Sequence, residues 1–140
     1  QFMEQKGEAP LTVFFLDLDN FKEVNDRYGH QEGDRLLLVT TKALKKCMPD
    51  DVIARMGGDE FLVFMKNVEY TARIQTYAEN LNRNVQEGSF SFNKNLHLTV
   101  SIGISLCREC TSFEELYVQA DTMLYEVKNQ NRNGYNIYDK

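Results

Sequence analysis

The stretch Leu11-Thr12-Val13-Phe14-Phe15-Leu16-Asp17-Leu18-Asp19 constrains the fold of this chain more than any other. It is nearly continuous in apolar side chains and then breaks into acids. A strand with one wet face would alternate. This one does not, so it reads as a central strand buried on both faces. The segments after it supply the cover. Asn20 to His30 contains no Gly or Pro until Gly29 and predicts a short helix. In the next segment Leu36, Val39, Ala43 and Cys47 recur at helical spacing. Its lysines cluster at the C-terminal end, where they suit the helix dipole, and Pro49 stops it. Asp51 to Arg55 and Glu60 to Met65 read as strands joined by Met56-Gly57-Gly58-Asp59, whose glycines are expected to supply the positive φ of a hairpin turn.

From Tyr70 onward, Ile74, Tyr77, Ala78, Leu81 and Val85 share one helical face, and Gly88 is expected to close that helix. Leu96 to Leu106 alternates, with Leu98, Val100, Ile102 and Ile104 on one side and Thr99, Ser101, Gly103 and Ser105 on the other, which is a strand. Ser112 and Glu115 have the spacing of a capping box. The helix they open carries Phe113, Leu116, Tyr117, Ala120, Leu124 and Val127 on one face, and Gly134 to Tyr138 forms a short last strand. Helices alternating with strands around a hairpin predict an α/β (α+β) fold of ferredoxin-like type, a mixed central sheet surrounded by helices.

At 140 residues the chain is expected to be one domain and to bury roughly two thirds of its unfolded surface. Its net charge is −5, and it has no long basic run. That excludes broad binding to a phosphate backbone, so no nucleic-acid partner is expected. Phosphates, if handled, must be met locally by a metal and one or two basic side chains. No apolar stretch approaches the roughly 18–20 residues of a membrane span, and no signal-peptide pattern occurs, so no direct membrane contact is expected. The chain begins at Gln1, and its first ten residues read as the tail of something upstream, as in a fragment of a longer protein. Cys47, Cys107 and Cys110 are odd in number, which fits free thiols in a reducing, cytoplasmic setting. Cys107 and Cys110 have C-x-x-C spacing, but they supply only two ligands and nothing else in the chain has matching spacing.

The acids carry the chemistry. Asp17 and Asp19 sit at the end of the first strand, and share a face if the strand continues that far. Asp59 and Glu60 sit at the hairpin. If the first strand pairs beside the hairpin, up to four carboxylates converge at one sheet edge. Uncompensated, like charges raise one another's pKa, and a hard divalent cation removes that cost. Mg²⁺ takes oxygen ligands, usually one or two carboxylates plus substrate phosphates, so only some of the four would be direct ligands. The bland alternative is that Asp17 and Asp19 begin a loop and Asp59 caps a turn. Spacing alone leaves the two level.

Four segments then make the pattern specific. DLDNFKEVNDRYGHQEGD, RMGGDEF, TVSIGIS and ADTMLYEVKNQNRN occur in that order. Together they resemble the GGDEF domain of bacterial diguanylate cyclases, from about Leu11 to Tyr138. Members of that family condense two GTP molecules into cyclic di-GMP, on a fold like that of adenylyl cyclase and polymerase palm domains. The resemblance implies that Asp17 is the first metal ligand, with the backbone carbonyl of Leu18 beside it. Asp59 and Glu60 are the signature acids, one or both on Mg²⁺, with Mn²⁺ as an alternative. Asp59 is the family's suspected base for the attacking 3′-hydroxyl, and the division of labour between the two acids stays open. Asn25 and Asp34 match the guanine-reading pair. A carboxylate accepts from guanine N1–H and N2–H₂, and an amide both donates and accepts, so Asp34 selects GTP. Lys22, Lys128 and Arg132 match triphosphate contacts, the last two being four apart and on one side of a helix that persists that far. Phe21 and Lys22 open the first helix, where backbone N–H groups can also meet phosphate. His30 matches the family's Gly-His pair. It reads first as a turn histidine beside Gly29 and second as a substrate contact.

Departures from the family pattern also inform. Where many relatives have an inhibitory Arg-x-x-Asp product site, Asp51 remains but Met48 replaces the arginine. A thioether makes no bidentate contact, so tight product inhibition there is not expected. Asn131 replaces a common glycine, and because Asn tolerates left-handed backbone better than most residues, the turn there is expected to survive. Met56 is a tolerable replacement for an aromatic or Leu. The family's opening Asp-x-Leu-Thr turn is missing, as in a truncated chain.

One bound GTP offers a single 3′-hydroxyl and a single α-phosphate, so the resemblance implies that two copies of the domain face each other. An upstream sensory or dimerising segment would supply the effective concentration. Two rivals stand beside this reading. One is a non-catalytic module that binds GTP or a partner protein as regulatory input. The other is a mononucleotide cyclase on the related fold.

Overall fold

Burial of the first strand on both faces places it in the middle of the sheet. In this computed structural model, which describes residues 11–66, 71–92, 94–95, 98–107 and 112–139, β1 (Leu11–Leu18) is buried along nearly its whole length. The remaining elements are α1 (Phe21–Tyr28), α2 (His30–Cys47), β2 (Val52–Arg55), β3 (Glu60–Lys66), α3 (Thr71–Phe92), β4 (Val100–Cys107), α4 (Phe113–Gln130) and β5 (Gly134–Asp139). The five strands lie in the order β2-β3-β1-β4-β5. All pairs are antiparallel except β4 with β5, which is parallel and crosses over through α4. The sheet is therefore mixed and covered by helices, as the order of elements in the sequence predicts.

Alternate residues of β1 feed two cores. Phe14, Leu16 and Leu18 pack with Leu36 and Leu44 of α2 and with Ile74, Leu81 and Val85 of α3. Val13 and Phe15 pack with Leu62 of β3 and with Leu116, Ala120 and Leu124, the inner face of α4. Each fully buried Leu or Phe contributes about 1.5–3 kcal/mol relative to exposure. The acids at the end of β1 are thus mounted on the most heavily packed strand.

Two glycines mark where backbones come close. A Cβ on Gly103 would overlap the Ala120 carbonyl oxygen and the Leu124 amide nitrogen, and would lie 2.9 Å from the Leu124 Cα, so α4 lies directly on β4. Gly88 does not close α3, which continues to Phe92. A Cβ there would come 2.7 Å from Val39 Cγ1, so Gly88 serves the α2–α3 contact and not helix termination.

The hairpin also departs from expectation. Neither Gly57 nor Gly58 has positive φ. The turn is held from outside by Arg55, whose Nε donates to the Gly57 carbonyl and Nη2 to the Gly58 carbonyl, both at 2.9 Å, while Met56 N–H closes the hairpin on the Glu60 carbonyl at 2.8 Å. Asn131 is not left-handed either (φ −136°). The left-handed backbone falls one residue later, on Arg132 (φ 57°) and Asn133 (φ 47°). The Ser112 hydroxyl caps α4 by accepting from Glu115 N–H at 3.2 Å. Met48 is buried at the end of α2, so the position of the missing arginine packs into the core. Cys47 is half-buried and accepts from Asn84 Nδ2 at 3.1 Å. Tyr70, Leu96, His97, Cys110 and the side chain of Cys107 lie outside the described residues.

Candidate active site

The register of the two central strands builds the site. β1 pairs with β3 so that Asp17 stands opposite Glu60. The backbone N–H of Leu18 donates to the Asp59 carbonyl at 3.1 Å, which extends the pairing into the hairpin turn. The acids of β1 and of the turn therefore meet at one end of the sheet.

Asp17 is the electrostatic centre. It is 6% exposed and forms an ion pair with Lys128 Nζ, reached from α4. Its Oδ1 is buried and has no hydrogen-bond partner. Its carboxyl pKa is raised from 3.8 to about 6, chiefly by burial, with the Lys128 hydrogen bond acting against the rise and the charge of Asp59 adding to it. A carboxylate on an otherwise packed strand, paired with one lysine and with one unpartnered oxygen, is electrostatically costly, and an added cation would relieve that cost. Glu60 is half-buried, and its Oε1 lies 3.3 Å from where a Cβ on Gly57 would stand, so the glycine leaves that carboxylate room.

Asp19 does not join this cluster, contrary to the four-acid convergence that the spacing allowed. β1 ends at Leu18, and Asn20 takes left-handed backbone (φ 59°). The Asp19 carboxylate turns instead toward β4 and accepts from Thr99 Oγ1 at 2.6 Å and Ser101 Oγ at 2.7 Å. Among the described residues no three Asp, Glu, His or Cys side chains stand close enough to hold an ion by themselves. That is compatible with Mg²⁺, which dehydrates reluctantly and relies on substrate phosphates and water for the rest of its shell.

The other candidate residues lie on α1, α2 and the end of α4. Lys22 and His30 are exposed, at the starts of α1 and α2. Phe21 is buried in the core and reaches toward Gly33. Asn25 is half-buried on α1, and Asp34 is exposed on α2. Gly33 joins these two: a Cβ there would overlap Asn25 Oδ1 and lie 2.9 Å from Asn25 Cγ. The Asn25 carboxamide therefore occupies the space a side chain at residue 33 would take, next to Asp34. Arg132, just past α4, has Nη1 3.9 Å from Asp19 Oδ1.

Sequence reasoning missed Arg55, Asn20 and Gly33. An arginine before a glycine pair carries no local signal for a fork onto carbonyls ahead of it. Asn20 could have been found, because Asn tolerates left-handed backbone and sits just before the first helix.

The sequence profile described as "Diguanylate cyclase, GGDEF domain" matches residues 1–134. The protein named "Probable diguanylate cyclase DgcF" of Escherichia coli is 40% identical over 135 residues, covering 91% of this chain and 42% of that protein. The chain thus spans less than half the length of the curated relatives it matches. Among solved structures, the active GGEEF domain of a diguanylate cyclase from Vibrio cholerae superposes with a TM-score of 0.86 at 30% identity, covering 95% of this chain and 85% of that one. The GGDEF domain of DgcB from Caulobacter crescentus, in complex with c-di-GMP, superposes with a TM-score of 0.84 at 28% identity, covering 96% and 81%.

Proposed function

Since this chain belongs to the diguanylate cyclase GGDEF-domain family, we propose that it condenses two GTP molecules into cyclic di-GMP, with release of pyrophosphate, where two copies of the domain face each other. The single observation that carries the reading to named residues is the meeting of Asp17, Asp59 and Glu60 at one end of the sheet, with Lys128 reaching in from α4.

Asp34 accepts from guanine N1–H and N2–H₂, and Asn25 beside it both donates and accepts. Lys22, Lys128 and Arg132 bind the triphosphate. His30 fixes the turn at Gly29. Asp17, the Leu18 carbonyl and one or both of Asp59 and Glu60 would hold Mg²⁺. The orphan Asp17 Oδ1 and the all-oxygen donor set fit that ion. When bound, the cation supplies positive charge that acidifies the 3′-hydroxyl and stabilises the oxygen that leaves. Asp59 stands at the turn to take the hydroxyl proton, and Lys128, which compensates Asp17, is placed to turn to phosphate. The protein's share of catalysis is positioning plus fixed charge. Because each domain holds one nucleotide, the attacking hydroxyl of one must reach the α-phosphorus held by the other.

A buried Met48 leaves no guanidinium for feedback binding of the product at that position. Among the described residues no helix is long and apolar enough to cross a membrane. We place the domain in the cytoplasm, where GTP is available, with dimerisation supplied by a segment outside this chain.

Incubation with GTP and Mg²⁺, followed by mass spectrometry of the product, tests the reading, with Asp59→Ala and Glu60→Ala as controls. Cyclic di-GMP made by the wild type and lost in the controls is expected. No turnover would favour a GTP- or partner-binding module, and cyclic GMP would favour a mononucleotide cyclase. Specific activity should also fall as the domain is diluted and recover on artificial dimerisation. Constant activity per domain at every dilution would contradict the two-copy geometry.

The Gly33 contact makes a separate prediction. Gly33→Ala should displace the Asn25 carboxamide and raise the KM for GTP about tenfold, the weight of one good hydrogen bond to a polar group. Discrimination between GTP and ATP should narrow with it. An unchanged KM and unchanged selectivity would remove Asn25 from guanine recognition.

A further inference from the structure

Asp19 is the acid that the proposed reaction leaves unused, and it is among the most buried charged groups of the described residues, at 3% exposure. Its oxygens are engaged on every side. Oδ2 accepts from Thr99 Oγ1 at 2.6 Å and from the backbone N–H of Asn133 at 3.0 Å. Oδ1 accepts from Ser101 Oγ at 2.7 Å and faces Arg132 Nη1 at 3.9 Å. Its own N–H donates to the Thr99 carbonyl at 2.9 Å. One side chain therefore ties the end of β1 to the start of β4 and to the turn between α4 and β5.

That turn is the strained part of the site. Arg132 and Asn133 are consecutive non-glycine residues in left-handed backbone, which L side chains adopt at a cost and keep only where the surroundings over-determine them. Three bonds do so: Arg132 N–H donates to the Val127 carbonyl at 3.0 Å, Asn133 N–H donates to Asp19 Oδ2 at 3.0 Å, and Asn133 Oδ1 accepts from Gln86 Nε2 at 2.9 Å. The left-handed turn sends the chain from the end of α4 back into β5, beside β4. The Arg132 guanidinium remains half exposed beside Asp19.

We propose that Asp19 is a positioning residue that clamps the Arg132-Asn133 turn and thereby aims Arg132 at the triphosphate of the bound nucleotide. The inference rests on the reading of Arg132 as a triphosphate contact. Its rivals are that Asp19 is purely structural, or that it sequesters Arg132 from substrate. Asp19→Asn keeps the shape of the side chain but removes the negative charge that faces Arg132 and one of the two acceptor oxygens.

GTP affinity, measured by calorimetry on the full chain with Ca²⁺ in place of Mg²⁺, decides between them. Arg132→Ala and Asp19→Asn should each weaken binding about tenfold, the weight of a charge-assisted contact. The double variant should bind no more weakly than Arg132→Ala alone, because Asp19 acts through Arg132. Additive losses, or tighter binding in Asp19→Asn, would overturn the proposal. Loss in Arg132→Ala with none in Asp19→Asn would overturn it while leaving the triphosphate reading intact. Full affinity in Arg132→Ala would sink that reading and this inference with it. If Asp19→Asn does not fold, hydrogen exchange of the wild-type Asn133 amide still tests the clamp: protection well beyond that of an exposed turn is expected, and exchange at the free-peptide rate would overturn it.

Discussion

Asp17→Asn is expected to lower cyclic di-GMP synthesis by at least about two orders of magnitude while making the metal-free domain more stable above pH 6. The loss of activity follows from removing the buried oxygen that would hold the cation, a charge on which the transition state depends. The gain in stability follows from linkage. The Asp17 carboxyl has a pKa raised from 3.8 to about 6 by burial first and Asp59 second, against the pull of Lys128. A raised carboxyl pKa means that the folded domain keeps a proton the unfolded chain releases. Stability is therefore undiminished below about pH 3.8, falls as pH rises through about 6, and stays reduced above it. The neutral amide never meets that penalty. Lys128, 30% exposed, can be resolvated when its partner's charge is gone. Urea unfolding of both proteins from pH 4 to pH 8, in EDTA and in Mg²⁺, checks this. The wild type should gain stability from Mg²⁺ at high pH, and the variant should not. A variant less stable than wild type at pH 8 in EDTA would mean that the Lys128 pair outweighs burial, and the site would not be one strained for a cation.

Gly103→Ala should be the most damaging glycine-to-alanine change among the described residues. The added carbon would meet the Ala120 carbonyl and the Leu124 amide, which are backbone atoms of α4 and cannot rotate away. Either α4 lifts from the sheet or β4 bends. Overpacking of a well-packed core costs about 1–3 kcal/mol where side chains can adjust, and more is expected where backbone must move. Because α4 carries Lys128, and Arg132 follows it, the displacement should reach the site as well. Urea midpoints measure the first effect, and GTP affinity of the folded fraction measures the second. A variant with wild-type midpoint and affinity would show that α4 is not seated as described.

Much of this fold is legible from pattern because its elements are long and strongly periodic. The unbroken apolar run of β1 forced a central strand, and the Ser112 cap, the Pro49 stop and the alternation through Ile102 and Ile104 each rest on local chemistry that tertiary context did not override. What failed involved glycine and the ends of elements. Gly88 looked like a terminator, yet it is a packing contact between helices that only the assembled structure brings together. Gly57 and Gly58 looked like positive-φ residues, yet Arg55 shapes that turn through its own side chain. In the site, the spacing of Asp17 and Asp19 correctly put two acids at one strand end. It could not say that Asn20 would turn the chain and send Asp19 elsewhere. The left-handed turn after α4 is held by partners far away in sequence, Asp19 accepting from Asn133 N–H and Gln86 donating to Asn133 Oδ1, which no local pattern shows.

The central claim is that acids from β1 and from the hairpin share one divalent cation that serves a bound guanine nucleotide. Anomalous diffraction from a crystal of the domain soaked with Mn²⁺ and GTP tests it most directly. An anomalous peak within direct coordination of an Asp17 oxygen and of Asp59 or Glu60, in contact with the triphosphate, is expected. A nucleotide bound with its metal away from Asp17, and with Lys128 still paired to that carboxylate, would contradict it.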